Sequence, residues 1–333
     1  MKSRTLTDAL LLIGGVLVLG VSPFAGVLDI SPLQLVSGEI DAASYAVFTE
    51  LRLPRVIAGA LVGAVLAYCG VVFQALFHNP LASPFTLGIS SGAAFGAALS
   101  IVLGLTLPFS GLSSPAVFSL MGSLTTILLV YGAGRDRFGL TSAGMLLMGV
   151  VVNFFFGSLV VFLQYLSDLT QLYTLMRWLM GSLEIVGFSL IPYLALLLFV
   201  ALLWAWRRGV ELDLIGLGDE LALARGVPVR VRRLELFVLC SLLIALSVTL
   251  AGPIGFVGIV VPHACRVVFG PSHRGLLVRS AWLGAVTLVL CDAIGRTVIA
   301  PAEVPVGVIT ALVGAPIFVT ILLLRRGGQL FRQ

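Results

Sequence analysis

Residues Leu51–Gly104 read LRLPRVIAGALVGAVLAYCGVVFQALFHNPLASPFTLGISSGAAFGAALSIVLG, two apolar helices joined by one short turn. From Val56 to Gly134 there is no Asp, Glu, Lys or Arg. A soluble domain needs charge on its surface, so a stretch this long belongs in a bilayer, where about 20 apolar residues make one helical span. The only break is His78-Asn79-Pro80-Leu81-Ala82-Ser83-Pro84. Its two prolines remove two backbone donors and push Asn79 and Ser83 out of the helical region. The chain therefore turns there, near one membrane face.

The whole chain has the same character. Of 333 residues, 59% are hydrophobic and 11% charged, the composition of a polytopic membrane protein with no separate soluble domain. Net charge is +5, nearly all of the surplus is arginine, and Lys2 is the only lysine. These arginines flank apolar segments, where positive charge sets membrane orientation, so the basic balance points to topology and not to nucleic acid. Cys69, Cys240, Cys265 and Cys291 stand singly on apolar segments. A disulfide framework or zinc site needs clustered ligands, so these read as small buried side chains, and no metal site is expected.

Ten segments are long and apolar enough to count as spans: 9–28, 56–77, 87–107, 116–131, 141–163, 190–206, 234–250, 256–268, 276–299 and 304–324. The uncharged run from Ala9 to Leu28 is too long for a typical signal-peptide core and reads as the first span. The segment 256–268 is short and contains Pro262, so by length it is either a span or a re-entrant piece. Ten crossings place both basic ends on one side. Arg52, Arg55, Arg177 and Arg296 then fall outside, and the remaining sixteen of the 20 Lys and Arg residues, Arg137 and Arg332 among them, fall inside. Positive residues are retained in the cytoplasm, so both termini are expected there, in the cell (inner) membrane.

Small residues repeat every four positions at Gly59, Gly63 and Ala67, and again at Gly92, Gly96, Ser100 and Gly104. Lipid gives helices no hydrophobic reason to associate, so such faces imply close backbone packing in a tight bundle. Two pieces lie outside the spans. Residues 164–189 read as a short helix at the outer interface. Residues 211–233 form the longest polar segment, expected as a pair of short helices split at Gly226-Val227-Pro228 and standing out of the membrane, suited to docking a soluble partner.

Several chemistries can be weighed on the residues alone. No GxxxxGK[ST] run exists, so the chain is not an ATPase and any energy comes from a partner or an ion gradient. Gly88-Ile89-Ser90-Ser91-Gly92 matches the GxSxG pattern, but it opens a membrane helix instead of a strand-turn-helix; an intramembrane hydrolase pairing Ser90 or Ser91 with His263 stays open as a minor alternative. His263, following Pro262, is expected to bond a freed carbonyl. Asp292 and Arg296 are one turn apart and form either a structural pair or part of a proton path. An ion-coupled secondary transporter is the main alternative from another class. Arg52, Arg55 and Arg296 run against the positive-inside bias and are candidates for recognising an acidic surface.

The run Arg52-Leu53-Pro54-Arg55, then Gly63, Gly70, Gln74, Asn79-Pro80-Leu81-Ala82 and Leu87-Gly88, resembles the permease family of bacterial binding-protein-dependent ABC importers for iron-siderophores, haem and cobalamin. The C-terminal third follows the same family in order: Gly252-Pro253-Ile254-Gly255-Phe256-Val257-Gly258, Val261-Pro262-His263, Asp292, Arg296, Glu303 and Pro305-Val306-Gly307. The resemblance covers nearly the whole chain. It implies an all-α polytopic bundle of about ten transmembrane helices, the type II ABC importer permease fold, as one domain over residues 1–333 with coupling helices at 211–233. It also implies an ATP-driven permease for an iron(III)-siderophore or related metal chelate, with cobalamin or haem as alternative cargo. The expected partners are a second copy or a paralogous permease, two ATPase subunits, a periplasmic or lipid-anchored binding protein, and membrane lipid. No cofactor is expected on this chain, ATP and Mg residing on the ATPase. By the same resemblance Arg52, Arg55 and Arg296 would dock the binding protein. Asn79, Leu81 and Ser142 would form the cytoplasmic gate. Gly218, Ala222, Arg225 and Gly226 would seat in the ATPase, and no residue would be catalytic.

Overall fold

The computed structural model describes residues 2–330 except 27, 29, 39, 108–112, 134, 137–138, 141 and 184–186. Arg137, Arg332 and the expected span start at Thr141 lie outside the described residues. The first helix, α1 (Lys2–Val21), ends in a 3-10 turn at Ser22–Phe24. Two short helices follow, α2 (Pro32–Ser37) and α3 (Ala42–Ala46), and α3 runs through a π-helical turn at Val47–Arg52 into α4 (Leu53–Leu76). Next come α5 (Ile89–Val102), α6 (Ser114–Ala133), α7 (Ser142–Leu166) and α8 (Leu169–Leu179). The remainder is α9 (Ile191–Leu217), α10 (Asp219–Ala224), α11 (Val229–Ala251), α12 (Val257–Phe269), α13 (His273–Thr297) and α14 (Val306–Leu330). Between α6 and α7 a two-residue antiparallel ladder pairs Arg135 with Leu140 and Asp136 with Gly139.

Among the described residues seven helices are long and apolar enough to cross a membrane, and three shorter apolar ones, 89–102, 257–269 and 306–321, complete the expected ten. The α4 span lies at the centre, 83% of its window buried against 17% for the peripheral α1. It reaches further than the sequence suggests. The π-helical turn at Val47–Arg52 lies directly before Pro54 and accommodates its missing N–H, so helix continues unbroken from Ala42 to Leu76 instead of starting at Val56.

The small-residue faces are crossing points. A Cβ built on Gly63 would overlap the Gly284 carbonyl of α13, and one on Gly284 would overlap Gly63. Gly92 meets Gly122 of α6 in the same reciprocal way. Backbones this close maximise dispersion contact where lipid offers no hydrophobic drive. Gly104 is different. Nothing lies within 4 Å of its Cβ position and its φ is +60°, so it ends α5 and packs against nothing.

The short α12 is explained by what precedes it. Thirteen residues rise about 20 Å, well short of the hydrocarbon thickness. The non-helical segment Gly252–Phe256 supplies the rest. It is buried at Gly252 and Ile254 and half-buried elsewhere, with Ile254 2% exposed and Gly252, at φ +65°, passing the Trp178 carbonyl so closely that a Cβ would lie 2.7 Å from it. Irregular backbone survives at membrane depth where protein shields it from lipid.

The expected pair of short helices in 211–233 is corrected to one. Residues 211–217 continue α9, residues 229–233 open α11, and only the six-residue α10 stands between them. Apolar burial on both flanks, with Leu212, Ile215, Val229 and Leu236 all in the core, prolongs the two long helices beyond what polarity alone suggests.

Candidate functional site

Hydrogen bonds between helix ends sort the bundle into two faces. On one lie the end of α1, the start of α4, the end of α13 and the start of α14. Asp292, 2% exposed in its side chain, is held there by two guanidinium groups: Arg55 Nε donates to Oδ1 at 3.0 Å and Arg296 Nε donates to Oδ2 at 3.0 Å. Arg55 Nη1 also reaches Glu303 at 2.8 Å. Two arginines and two carboxylates balance, which is what makes their burial tolerable. Arg296 further donates to the Ala25 and Ser22 carbonyls and to Ser22 Oγ. Arg52, 8% exposed, donates to the carbonyls of Pro23, Phe24 and Leu28.

The three arginines expected to dock a binding protein therefore lie at one end of the bundle with internal partners. Arg52 and Arg296 are buried in bonds to the segment that follows α1, and Arg55 is engaged with Asp292 and Glu303. Arg55 and Glu303 keep part of their side chains exposed, 16% and 41%, while Arg52 and Arg296 are buried. The face also presents a cavity of about 670 Å³ between α8 and the start of α14, with Arg55 and Glu303 on one wall and Tyr173, Met176 and Met180 on the other. The Trp178–Ser182 run forms its floor support: Gly307 N donates to Gly181 O at 3.2 Å and Ser182 N to Ala251 O at 2.9 Å. The Asp292–Arg296 pair belongs to this end of the bundle and not to its midplane.

The opposite face gathers the end of α4, the start of α7, the end of α9 and the start of α13. Asn79 Oδ1 accepts from Leu81 N at 2.9 Å, folding the proline-bounded turn onto itself and leaving Leu81 48% exposed. Ser142 Oγ donates to Leu76 O at 2.7 Å. Ser142 and the Asn79–Leu81 turn thus lie at the same end of the bundle, both beside the end of α4. Beneath them Arg266 donates to Gln74 Oε1 at 2.5 Å while Gln74 Nε2 donates to Gly258 O at 3.4 Å, tying α12 to α4. Neither hydrolase serine sits beside an imidazole partner in these bonds. Ser91 Oγ donates to Gly88 O at 2.8 Å, and the His263 ring, expected to meet a carbonyl, faces the Phe318 ring of α14 with centroids 6.3 Å apart.

Residues 10–325 match the family described as the FecCD transport family. The chain belongs to the FecCD transport family. It is a multi-pass membrane transport permease. The hemin transport system permease protein HmuU of Yersinia pestis is 38% identical over 326 residues, covering 98% of this chain and 97% of its own length. The vitamin B12 import system permease protein BtuC of Vibrio vulnificus is 39% identical over 311 residues, covering 90% and 92%. A solved inward-facing ABC transporter assigned to the metal-chelate type superposes with a TM-score of 0.78 at 30% identity, over 94% of this chain and 98% of that one.

In this FecCD permease α10 hangs between α9 and α11 on the Asn79 face. Asp219 accepts from Arg233 Nη2 at 2.6 Å, and Ala222 is wholly buried. Ala222 therefore faces the permease itself, because helix geometry turns one side of a six-residue helix inward. The outward side carries Leu221, Leu223, Arg225 and Gly226, all exposed, beside Gly218, whose φ of +139° makes the break between α9 and α10. Sequence reasoning missed the bonds that hold this region: Arg232 to Glu211, Asp213 to His273, and His78 to Ile215 O. Each joins residues at least 21 apart, and no local spacing signals such partners.

Proposed function

We propose that this FecCD permease carries an iron(III)-siderophore or related metal chelate inward across the cell (inner) membrane, as half of a homodimer or of a heterodimer with a paralogue. Two ATPase subunits bind below, hold ATP and Mg, and engage α10; a periplasmic or lipid-anchored protein delivers cargo above. The whole chain serves as one permease domain, with both termini and residues 211–233 in the cytoplasm, and it needs no cofactor of its own. No bond is made or broken in the cargo. ATP binding and hydrolysis move α10 and alternate which mouth is open.

The observation that carries this reading is the division of labour between the two faces. One offers a roomy cavity of about 670 Å³ walled by Tyr173, Met176 and Met180, sized for a chelate rather than a bare ion. The other pairs the Asn79, Leu81 and Ser142 end of the bundle with a short helix that exposes Leu221 and Leu223 beside Glu220 and Arg225, a mixed surface suited to a soluble subunit. On α7 Asn153, an exposed amide in mid-span, is followed by the exposed Phe154 and Phe155. An amide is costly against acyl chains, which supports a second permease or the path itself on that side. The positive-inside distribution supports cytoplasmic termini. Haem or cobalamin is the second reading, favoured by the cargo named for the two relatives above.

The test reconstitutes the permease with its ATPase and binding protein in liposomes and follows ATP hydrolysis and uptake of ferric chelates, haemin and cobalamin. The expected result is ATP-dependent uptake of a ferric chelate, stimulated by the binding protein and uncoupled by Arg225→Glu. Uptake by the permease alone, collapsing with a proton or sodium gradient, would overturn the reading.

A further inference from the structure

The last turn of α9 is fastened to two other elements. Asp213 Oδ1 accepts from both the backbone N and the Nδ1 of His273, each at 2.7 Å, and so caps the start of α13 from 60 residues away. Two residues on, the Ile215 carbonyl meets His78 Nε2 at 2.7 Å; a carbonyl only accepts, so the imidazole donates. Gly216 then lies against the His273 ring and the Ala75 methyl group. The end of α9 thus rests on the end of α4.

Immediately beyond, the chain breaks at Gly218 and becomes α10, which the Asp219–Arg233 bond and buried Ala222 bind to the ends of α9 and α11. A push on α10 therefore displaces the end of α9. His78 stands at φ +49°, the left-handed residue that closes the end of α4, and it opens the turn that carries Asn79 and Leu81. One hydrogen bond to Ile215 holds that residue, and with it the backbone of the turn, to the helix that leads to α10.

We propose that His78 is the positioning residue through which displacement of α10 reaches the Asn79–Leu81 turn, its bond to the Ile215 carbonyl being the mechanical link. This rests on the reading of α10 as the ATPase-facing helix and of the turn as the inner mouth. The backbone bonds of the turn, His78 N to Ala75 O and Asn79 N to Gln74 O, both at 3.3 Å, run back into α4 itself, so the imidazole is what ties His78 to α9. Packing between Gly216 and Ala75 alone gives the turn no such directional hold.

The experiment measures ATP hydrolysed per cargo molecule imported by the complete reconstituted assembly, for wild type, His78→Ala, His78→Asn and His78→Gln. Asparagine tolerates the left-handed backbone but is too short to reach Ile215, so it separates loss of the bond from loss of the turn. Glutamine keeps a donor at comparable reach. His78→Ala and His78→Asn are expected to raise the ratio about five-fold, the loss of one net hydrogen bond of about 1 kcal/mol at 1.4 kcal/mol per tenfold. ATPase recruitment and binding-protein affinity stay unchanged, and His78→Gln restores the wild-type ratio. A wild-type ratio in His78→Asn overturns the proposal, and so does a His78→Gln variant as uncoupled as His78→Ala. If wild type itself imports without ATP, the importer reading has failed and takes the link with it.

Discussion

Asp292→Ala is the sharpest probe of the buried charges. In the native protein Asp292 neutralises two arginines, and the substitution strands them unequally. Arg55 keeps Glu303 at 2.8 Å, whereas Arg296, with its side chain 5% exposed, keeps only the neutral Ser22 and Ala25 oxygens. The cost is therefore concentrated on one orphaned guanidinium. Removing one partner of a buried pair costs about 3–5 kcal/mol, and the surviving bonds of Arg296 place this case near about 3. Asp292→Asn keeps the shape and one acceptor and should cost less, about 1.5–3 kcal/mol. The assay is equilibrium unfolding of the purified permease in mixed micelles, with a double-mutant cycle through Arg296→Met. Because Met removes the stranded charge, the double variant should be more stable than the sum of the single losses predicts, by roughly 2 kcal/mol. Additivity within about 0.5 kcal/mol would show that the two groups do not depend on each other and would refute the argument.

Two further outcomes follow from the packing. Gly63→Leu drives a side chain into the Gly284 carbonyl at the α4–α13 crossing and should destabilise by at least about 1–3 kcal/mol, read as a lower unfolding midpoint, whereas Gly104→Ala should cost only the strain of its left-handed backbone. Arg52→Ala releases three carbonyls at the end of α1 and should lower stability by about 1.5–3 kcal/mol, while leaving binding-protein affinity equally sensitive to salt; a selective loss of that affinity with stability unchanged would return Arg52 to the surface.

The sequence by itself determined that the chain crosses a membrane about ten times, where the proline-bounded turn falls, and which small faces pack. Those properties are local: hydropathy is summed over about 20 neighbours, proline acts on its own backbone and the residue before it, and a four-residue glycine repeat marks one helix face. Motif order carried the family as well. What the tertiary structure alone decided is the fate of the charges. Arg52, Arg55 and Arg296 look alike in sequence, set against the positive-inside bias, yet apart from Asp292, one turn before Arg296, their partners lie 24–274 residues away in the chain and turn two of them inward. Likewise nothing near Ala222 says which side of a six-residue helix faces the bundle, and nothing near His78 names Ile215, 137 residues on, as its partner. Hydrophobic pattern is read along the chain, but a hydrogen bond is decided by which two helix ends meet in space.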